Sequence, residues 1–130
     1  MAGAGLTMRA AHYPGRAPIE AYGGGGFRFA GMSHRGGLMC LPSGIHGWEA
    51  PAPGAIDEGS LKGVFSEAAA IDILLVGTGA DIAPLAEAVR RRCRAEGIVA
   101  ETMSTGAAVR TFNVLLAEER AVAAALIAVD

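Results

Sequence analysis

The sequence predicts a single α/β domain, and three observations carry that prediction. Ile71 to Val76 is an almost unbroken apolar run, as expected of a strand covered on both faces. A helical stripe and a second apolar segment follow it, the strand–helix–strand order that gives a parallel pair with a right-handed crossover. The first half of the chain alternates in short stretches broken by glycines, which is the pattern of antiparallel hairpins. A chain of 130 residues fits one domain, large enough to bury roughly two-thirds of its unfolded surface.

Met1 to Pro18 reads as a flexible arm, rich in Gly and Ala and interrupted by Pro14 and Pro18, with the domain over residues 19–130. Ile19 to Tyr22 and Phe27 to Phe29 form a hairpin about the permissive turn Gly23 to Gly26. Leu38 to Leu41 is a third short strand, stopped by Pro42. Glu49 to Ser60, with Pro51, Pro53, Gly54 and Gly59, is a connector, and Leu61 to Ala70 fits either a helical turn or a strand. After the central strand and the break at Gly77-Thr78-Gly79, a helix opens near Asp81 to Pro84. Asp81 is its expected N-cap, and Leu85, Val89 and Cys93 form one apolar stripe. Gly97 suits the left-handed residue that ends a helix. Ile98 to Glu101 is the next strand, and Ser104 or Thr105 caps a second helix running to about Glu118. Ala121 to Val129 fits a helix by its alanines and a strand by its Val and Ile.

Composition narrows the function. A formal net charge of −2 gives no global attraction to nucleic acid or anionic lipid. Cys40 and Cys93 form no CxxC pair and read as two free thiols in a reducing compartment. Met1 to Arg16 lacks the apolar core of a secretory signal. Ala121 to Val129 falls short of the about 20 residues that span a bilayer. The expectation is a cytoplasmic protein, not membrane-spanning, with room for a peripheral place beside a membrane complex.

Several places where chemistry can live have an ordinary structural reading beside the functional one. The turn Gly77-Thr78-Gly79 can present backbone N–H groups to an anion, but Ile82 stands where a dinucleotide fingerprint needs glycine, no P-loop lysine follows, and Asp81 repels anions. A tight strand-to-helix turn explains it as well. His34, Cys40, His46 and Glu49 lack metal-ligand spacing, as does His12. Ser43 has Leu41 and Ile45 where the first and last glycines of a nucleophile elbow would stand. Arg90, Arg91, Arg92 and Arg94 complement a helix C-terminus, or else dock an acidic partner. Trp48 either anchors a partner or plugs the core under the connector. Arg110 and Asn113, one turn apart, either hold a carboxylate, tie down a neighbouring loop or face solvent.

Two stretches carry a resemblance. Ile71 to Gly79, reading Ile-Asp-Ile-Leu-Leu-Val-Gly-Thr-Gly, and Met103 to Arg120, together with Tyr22-Gly23 through Phe27 and Trp48 after Pro42, resemble a family of small bacterial and archaeal proteins of unknown function. That family includes the mitochondrial NADH:ubiquinone oxidoreductase (complex I) assembly factor three. The resemblance covers Ile19 to Val129. It implies a three-layer domain with a central mixed five-stranded sheet, helices on one side and extra β-structure on the other. It also implies that Ala121 to Val129 is the last strand, antiparallel to its neighbours. Phe112 stands where the family commonly has tyrosine, and Glu119 where it commonly has glycine. A non-glycine residue in that left-handed position costs about 1 kcal/mol.

With no complete catalytic motif, the resemblance points to a non-enzymatic assembly or interaction factor, with complex I subunits or other assembly factors as partners and no cofactor. Trp48, Arg90, Arg91, Arg92 and Arg94 are its candidate contacts. The alternative is a small-molecule binding protein or enzyme whose site lies beyond the C-terminal end of the Ile71–Val76 strand. Gly77, Thr78, Gly79, Thr105, Arg110 and Asn113 would line it. A nucleic-acid contact through Arg90 to Arg94 is opposed by the acidic net charge.

Overall fold

The apolar run after Ala70 lies at the centre of the molecule. The computed structural model describes residues 12–130. In chain order the strands are β1 (His12–Tyr13), β2 (Ile19–Gly23), β3 (Gly26–Phe29), β4 (Met32–Arg35), β5 (Gly37–Leu41), β6 (Gly44–Trp48), β7 (Ile73–Gly77), β8 (Val99–Met103) and β9 (Val122–Leu126). The helices are α1 (Lys62–Ser66), α2 (Glu87–Ala95) and α3 (Thr105–Ala117).

The main sheet has the order β1-β6-β5-β9-β7-β8, five substantial strands plus the two-residue β1 at one edge. A second, three-stranded antiparallel sheet has the order β2-β3-β4. β7 pairs in parallel with β8 on one side and with β9 on the other. β9 pairs antiparallel with β5. The expected last strand is therefore present, but it is antiparallel only to β5. The α3 crossover returns the chain in the same direction as β7, which makes the β7–β9 pair parallel.

Apolar side chains fill both faces of the main sheet. One face carries Leu74, Val76, Ala123 and Ala125 against α1, α2 and the connector, through Val64, Phe65, Ile56, Val89 and Cys93. The other carries Leu75, Ala124 and Leu126 against α3 and the small sheet, through Ala108, Phe112, Ile19 and Phe29. The β9 alanines are all buried. Their small side chains let helices and sheet approach closely, which is where the high alanine content is used.

Several expectations are met in detail. The Gly23–Gly26 hairpin forms, with Tyr22 opposite Phe27. Ser104 caps α3, its hydroxyl accepting from Ala107 N at 3.3 Å. Gly97 takes φ 77° after α2. Gly97 N bonds Arg94 O and Ile98 N bonds Cys93 O, the paired bonds of a Schellman end. Glu119 repeats that geometry after α3 at φ 60°, with Glu119 N to Leu116 O and Arg120 N to Leu115 O. Glutamate thus occupies the left-handed position that the resemblance assigns to glycine.

Other expectations are corrected. α2 begins at Glu87, after Ala86, with no side-chain cap from Asp81. The Thr78 hydroxyl folds the intervening loop instead. It donates to Asp81 O at 2.9 Å and accepts from Ala83 N at 2.9 Å. Ala83 precedes Pro84, a position that disfavours helix. β4 and β6 were not expected as strands. Of the expected arm, residues 1–11 lie outside the described residues, His12 and Tyr13 pair with β6, and Ala17 is buried.

Candidate functional site

The C-terminal end of β7 meets the N-terminus of α3, and glycine makes the approach possible. A Cβ on Gly77 would stand 3.0 Å from Thr105 Cα and 3.0 Å from Leu126 Cδ2. The turn is tied inward. Thr78 N donates to Met103 O at 2.9 Å, and Gly79 N donates to Thr105 Oγ1 at 3.0 Å. Thr105 Oγ1 in turn donates to Ile127 O at 2.6 Å. Thr78 and Thr105 are both buried. The Thr105 hydroxyl welds β7, β9 and α3 together and engages the Gly79 amide, while the Thr78 hydroxyl holds the following loop.

A cleft of about 530 Å³ opens above this weld, lined by Tyr22, Gly79, Ser104, Gly106, Arg110 and the segment Ala128 to Asp130. Of the sequence candidates, Gly79 and Arg110 reach it. Gly77, Thr78 and Thr105 support its floor. Tyr22 was missed, because the β2–β3 hairpin reaches α3 only through tertiary packing. Its ring lies over Gly106, where a Cβ would stand 3.0 Å from Tyr22 Cζ. No described residue bonds the Tyr22 hydroxyl or the Arg110 guanidinium.

Asn113 does not line the cleft. Its amide grips the backbone of Ile19 in both directions. Asn113 Oδ1 accepts from Ile19 N at 2.8 Å, and Asn113 Nδ2 donates to Ile19 O at 2.8 Å. Of the three readings of Asn113, the one that ties down a neighbouring segment is the one the structure shows.

The partner-side candidates separate into two groups. Trp48 is buried in the core under the connector, with Nε1 donating to Ser60 O at 2.8 Å. It also forms part of the wall of a shallow depression with His34, Glu49 and Ala128. Arg92 bridges Glu58 at 3.0 Å and Glu96 at 2.9 Å and sits 4.4 Å above the Phe65 ring. It fastens α2 to the connector and α1. Arg90, Arg91 and Arg94 point outward and share the single carboxylate of Glu87.

The remaining reactive groups are dispersed. Both cysteines are free and buried. Burial pushes the Cys40 thiol up to about 12 and raises Cys93 as well, so neither is a thiolate near neutrality. Cys40 pairs across from Ile45, so the neighbouring His46 points to the opposite face of the sheet. Among the described residues, no group of three or more His, Cys, Asp or Glu is placed to hold a metal ion. Ser43 Oγ donates to Glu67 Oε2 at 2.6 Å and lies 3.2 Å from His46 Nε2. The carboxylate accepts the serine O–H hydrogen bond and leaves the histidine on the far side of the oxygen. This differs from the order of a catalytic triad, in which the carboxylate orients the histidine.

With this geometry in view, comparison with known proteins is decisive at the family level. The family described as "protein of unknown function (DUF498/DUF598)" matches residues 19–127. The chain belongs to this family. An uncharacterized protein of Rhodobacter capsulatus is 44% identical over 94% of this chain and 93% of its own length. The NADH dehydrogenase [ubiquinone] 1 alpha subcomplex assembly factor 3 of Xenopus tropicalis is 34% identical over 84% of this chain. The aligned part spans only 60% of that relative. Among solved structures, one described as an outer membrane protein from Bartonella henselae superposes with a TM-score of 0.87 at 55% identity, over 92% of this chain and 100% of that one. A Bordetella pertussis protein described as a Mth938-like domain gives 0.76 at 27% identity, over 86% of this chain and 85% of that one. The three-layer α/β architecture expected from the resemblance is therefore shared. Here the small sheet shares its face of the main sheet with α3. No helix among the described residues is long and apolar enough to cross a membrane.

Proposed function

We propose that this protein is a non-enzymatic assembly factor for respiratory complex I, acting from the cytoplasm at the periphery of the membrane complex. The observation that carries this reading is the relationship, over 84% of this chain, to a protein named as an assembly factor of NADH dehydrogenase. The fate of the polar groups is consistent with it. Thr78, Thr105 and Asn113 are engaged in holding the fold together. The outward arginines supply a charged contact surface for a protein partner. Deleting the gene in a host that carries complex I tests the proposal. The expected result is less fully assembled complex on native gels and a matching fall in NADH:ubiquinone activity, both restored by the gene in trans. Normal complex level and activity in the deletion strain would sink the assembly reading.

The cleft supports a second reading, a small-molecule site. Among the described residues its unengaged polar side chains are the Tyr22 hydroxyl, the Arg110 guanidinium and the Asp130 carboxylate, a mixed set that suits a small polar ligand carrying both charges. A metabolite screen by thermal shift, repeated on Arg110→Ala, decides it. A hit that persists unchanged in the variant assigns the binding elsewhere.

A further inference from the structure

β8 is the outermost strand of the main sheet on the side opposite β1. Val99 N donates to Asp72 O and Met103 O accepts from Thr78 N, so both residues turn their backbone groups toward β7. Backbone direction alternates along a strand, and Ala100 and Thr102 therefore aim their N–H and C=O groups away from the sheet. No described residue pairs with them. Of the usual protections of an edge, the strand carries one charge, Glu101. It has no proline, no lysine and no bulge in its register with β7. Val99 is 58% exposed on the face shared with α3.

The opposite face of the same edge is cationic. A groove of about 220 Å³ runs between β8 and α2, lined by Arg90, Arg94, Cys93, Ile98 and Ala100. Arg90, Arg91 and Arg94 contact Glu87 at 3.7, 3.7 and 3.3 Å. Three guanidinium groups against one carboxylate leave two positive charges uncompensated beside an open row of backbone donors and acceptors.

We propose that β8 is a docking edge for an extended acidic segment of a partner protein, which adds as a further strand. Its acidic side chains lie on the α2 side against Arg90 and Arg94. Its apolar side chains lie on the α3 side against Val99, where Glu101 repels acids. Main-chain bonds to Ala100 and Thr102 give affinity, and the two faces give specificity. Charge complementarity selects this occupant over the alternatives. A second copy added antiparallel, about a two-fold axis normal to the sheet, would bring two α2 arginine clusters side by side. Residues 1–11 of the chain itself contain Arg9 and no acid. This inference rests on the interaction-factor reading and names the chemistry of the partner's contact.

The test uses the full chain and a synthetic probe, a blocked peptide of about eight alternating glutamate and valine residues, followed by NMR and amide hydrogen exchange. The expected result is saturable binding with amide exchange at Ala100 and Thr102 slowed at least about tenfold. The double change Arg90→Ala with Arg94→Ala weakens binding about fivefold, and added salt weakens it further. Methylating alternate peptide nitrogens gives two isomers, and only the isomer blocked on the edge-facing register loses binding. Equal binding of both isomers, or shifts confined to the Tyr22–Arg110 cleft, would overturn the proposal. So would protection of Ala100 and Thr102 without peptide. Concentration dependence would then assign the edge to a second copy, and independence of concentration to the chain's own N-terminal segment. Peptide binding with unchanged complex I in the deletion strain refutes the assembly reading alone. Lost complex I with no peptide binding refutes the docking edge alone.

Discussion

Two sheet edges in this molecule are treated in opposite ways. The outer edge of β2 is capped at Ile19 by one side chain, since the Asn113 amide donates to Ile19 O and accepts from Ile19 N as a neighbouring strand would. The outer edge of β8 meets no such partner among the described residues and is flanked by outward arginines. A fold that caps one edge with a half-buried polar group and leaves another bare treats the two differently in stability. The first should be costly to disturb. The second should tolerate any change that leaves its inner hydrogen bonds intact.

The largest effect expected from that difference lies within β8 itself. Glu101 has the inward-facing register of Val99 and Met103, so its N–H belongs to the ladder with β7. Glu101→Pro removes that donor and should cost about 2 kcal/mol or more in urea unfolding. Thr102→Pro removes only an outward N–H and should cost less than about 1 kcal/mol. Equal costs would mean that the β8 edge is engaged and that the contrast is false.

Asn113 comes next. Asn113→Ala leaves the Ile19 N–H and C=O without partners and should cost about 2 kcal/mol. Asn113→Asp keeps the acceptor but places a second oxygen opposite Ile19 O. It should cost about 1 kcal/mol at neutral pH and less in acid, where the protonated carboxyl can donate again. If the alanine variant unfolds like the parent protein, the β2 edge needs no cap.

These edges also show what sequence reading reaches. The β7 run, the Gly97 helix end and the Ser104 cap were legible because each depends on local pattern and local chemistry. β4 and β6 were not. Met-Ser-His-Arg and Gly-Ile-His-Gly-Trp alternate weakly, and pairing with β3 and β5 makes them strands. The direction of β9 relative to β7 depends on which strand it reaches, a tertiary choice. At the cleft, Arg110 was legible with Asn113 as polar groups one turn apart on a helix. Tyr22 looked like an ordinary hairpin residue until folding placed its ring over Gly106. Asn113 drew notice for its polarity, but its task is set by Ile19, far away in sequence.

The smallest effects belong to the arginines, and their smallness sharpens the contrast. Arg92 is bound to Glu58 and Glu96 and stacked on Phe65, so Arg92→Ala loses packing as well as charge and should cost more than the loss of either Arg90 or Arg94. Arg90 and Arg94 share Glu87 with Arg91, and all of these side chains are well exposed. Removing either leaves Glu87 with other partners, so Arg90→Ala and Arg94→Ala should each change stability by less than about 0.5 kcal/mol. Glu87→Gln leaves the three guanidinium groups facing one another. It should lower stability by a similar amount at low salt and by nothing measurable at about 1 M salt, where the Debye length is about 3 Å. Unfolding the four variants in parallel at both ionic strengths checks the ranking. If Arg90 or Arg94 proves as costly as Arg92, those side chains hold the fold together, and the charge beside β8 is committed to stability with none left for a partner.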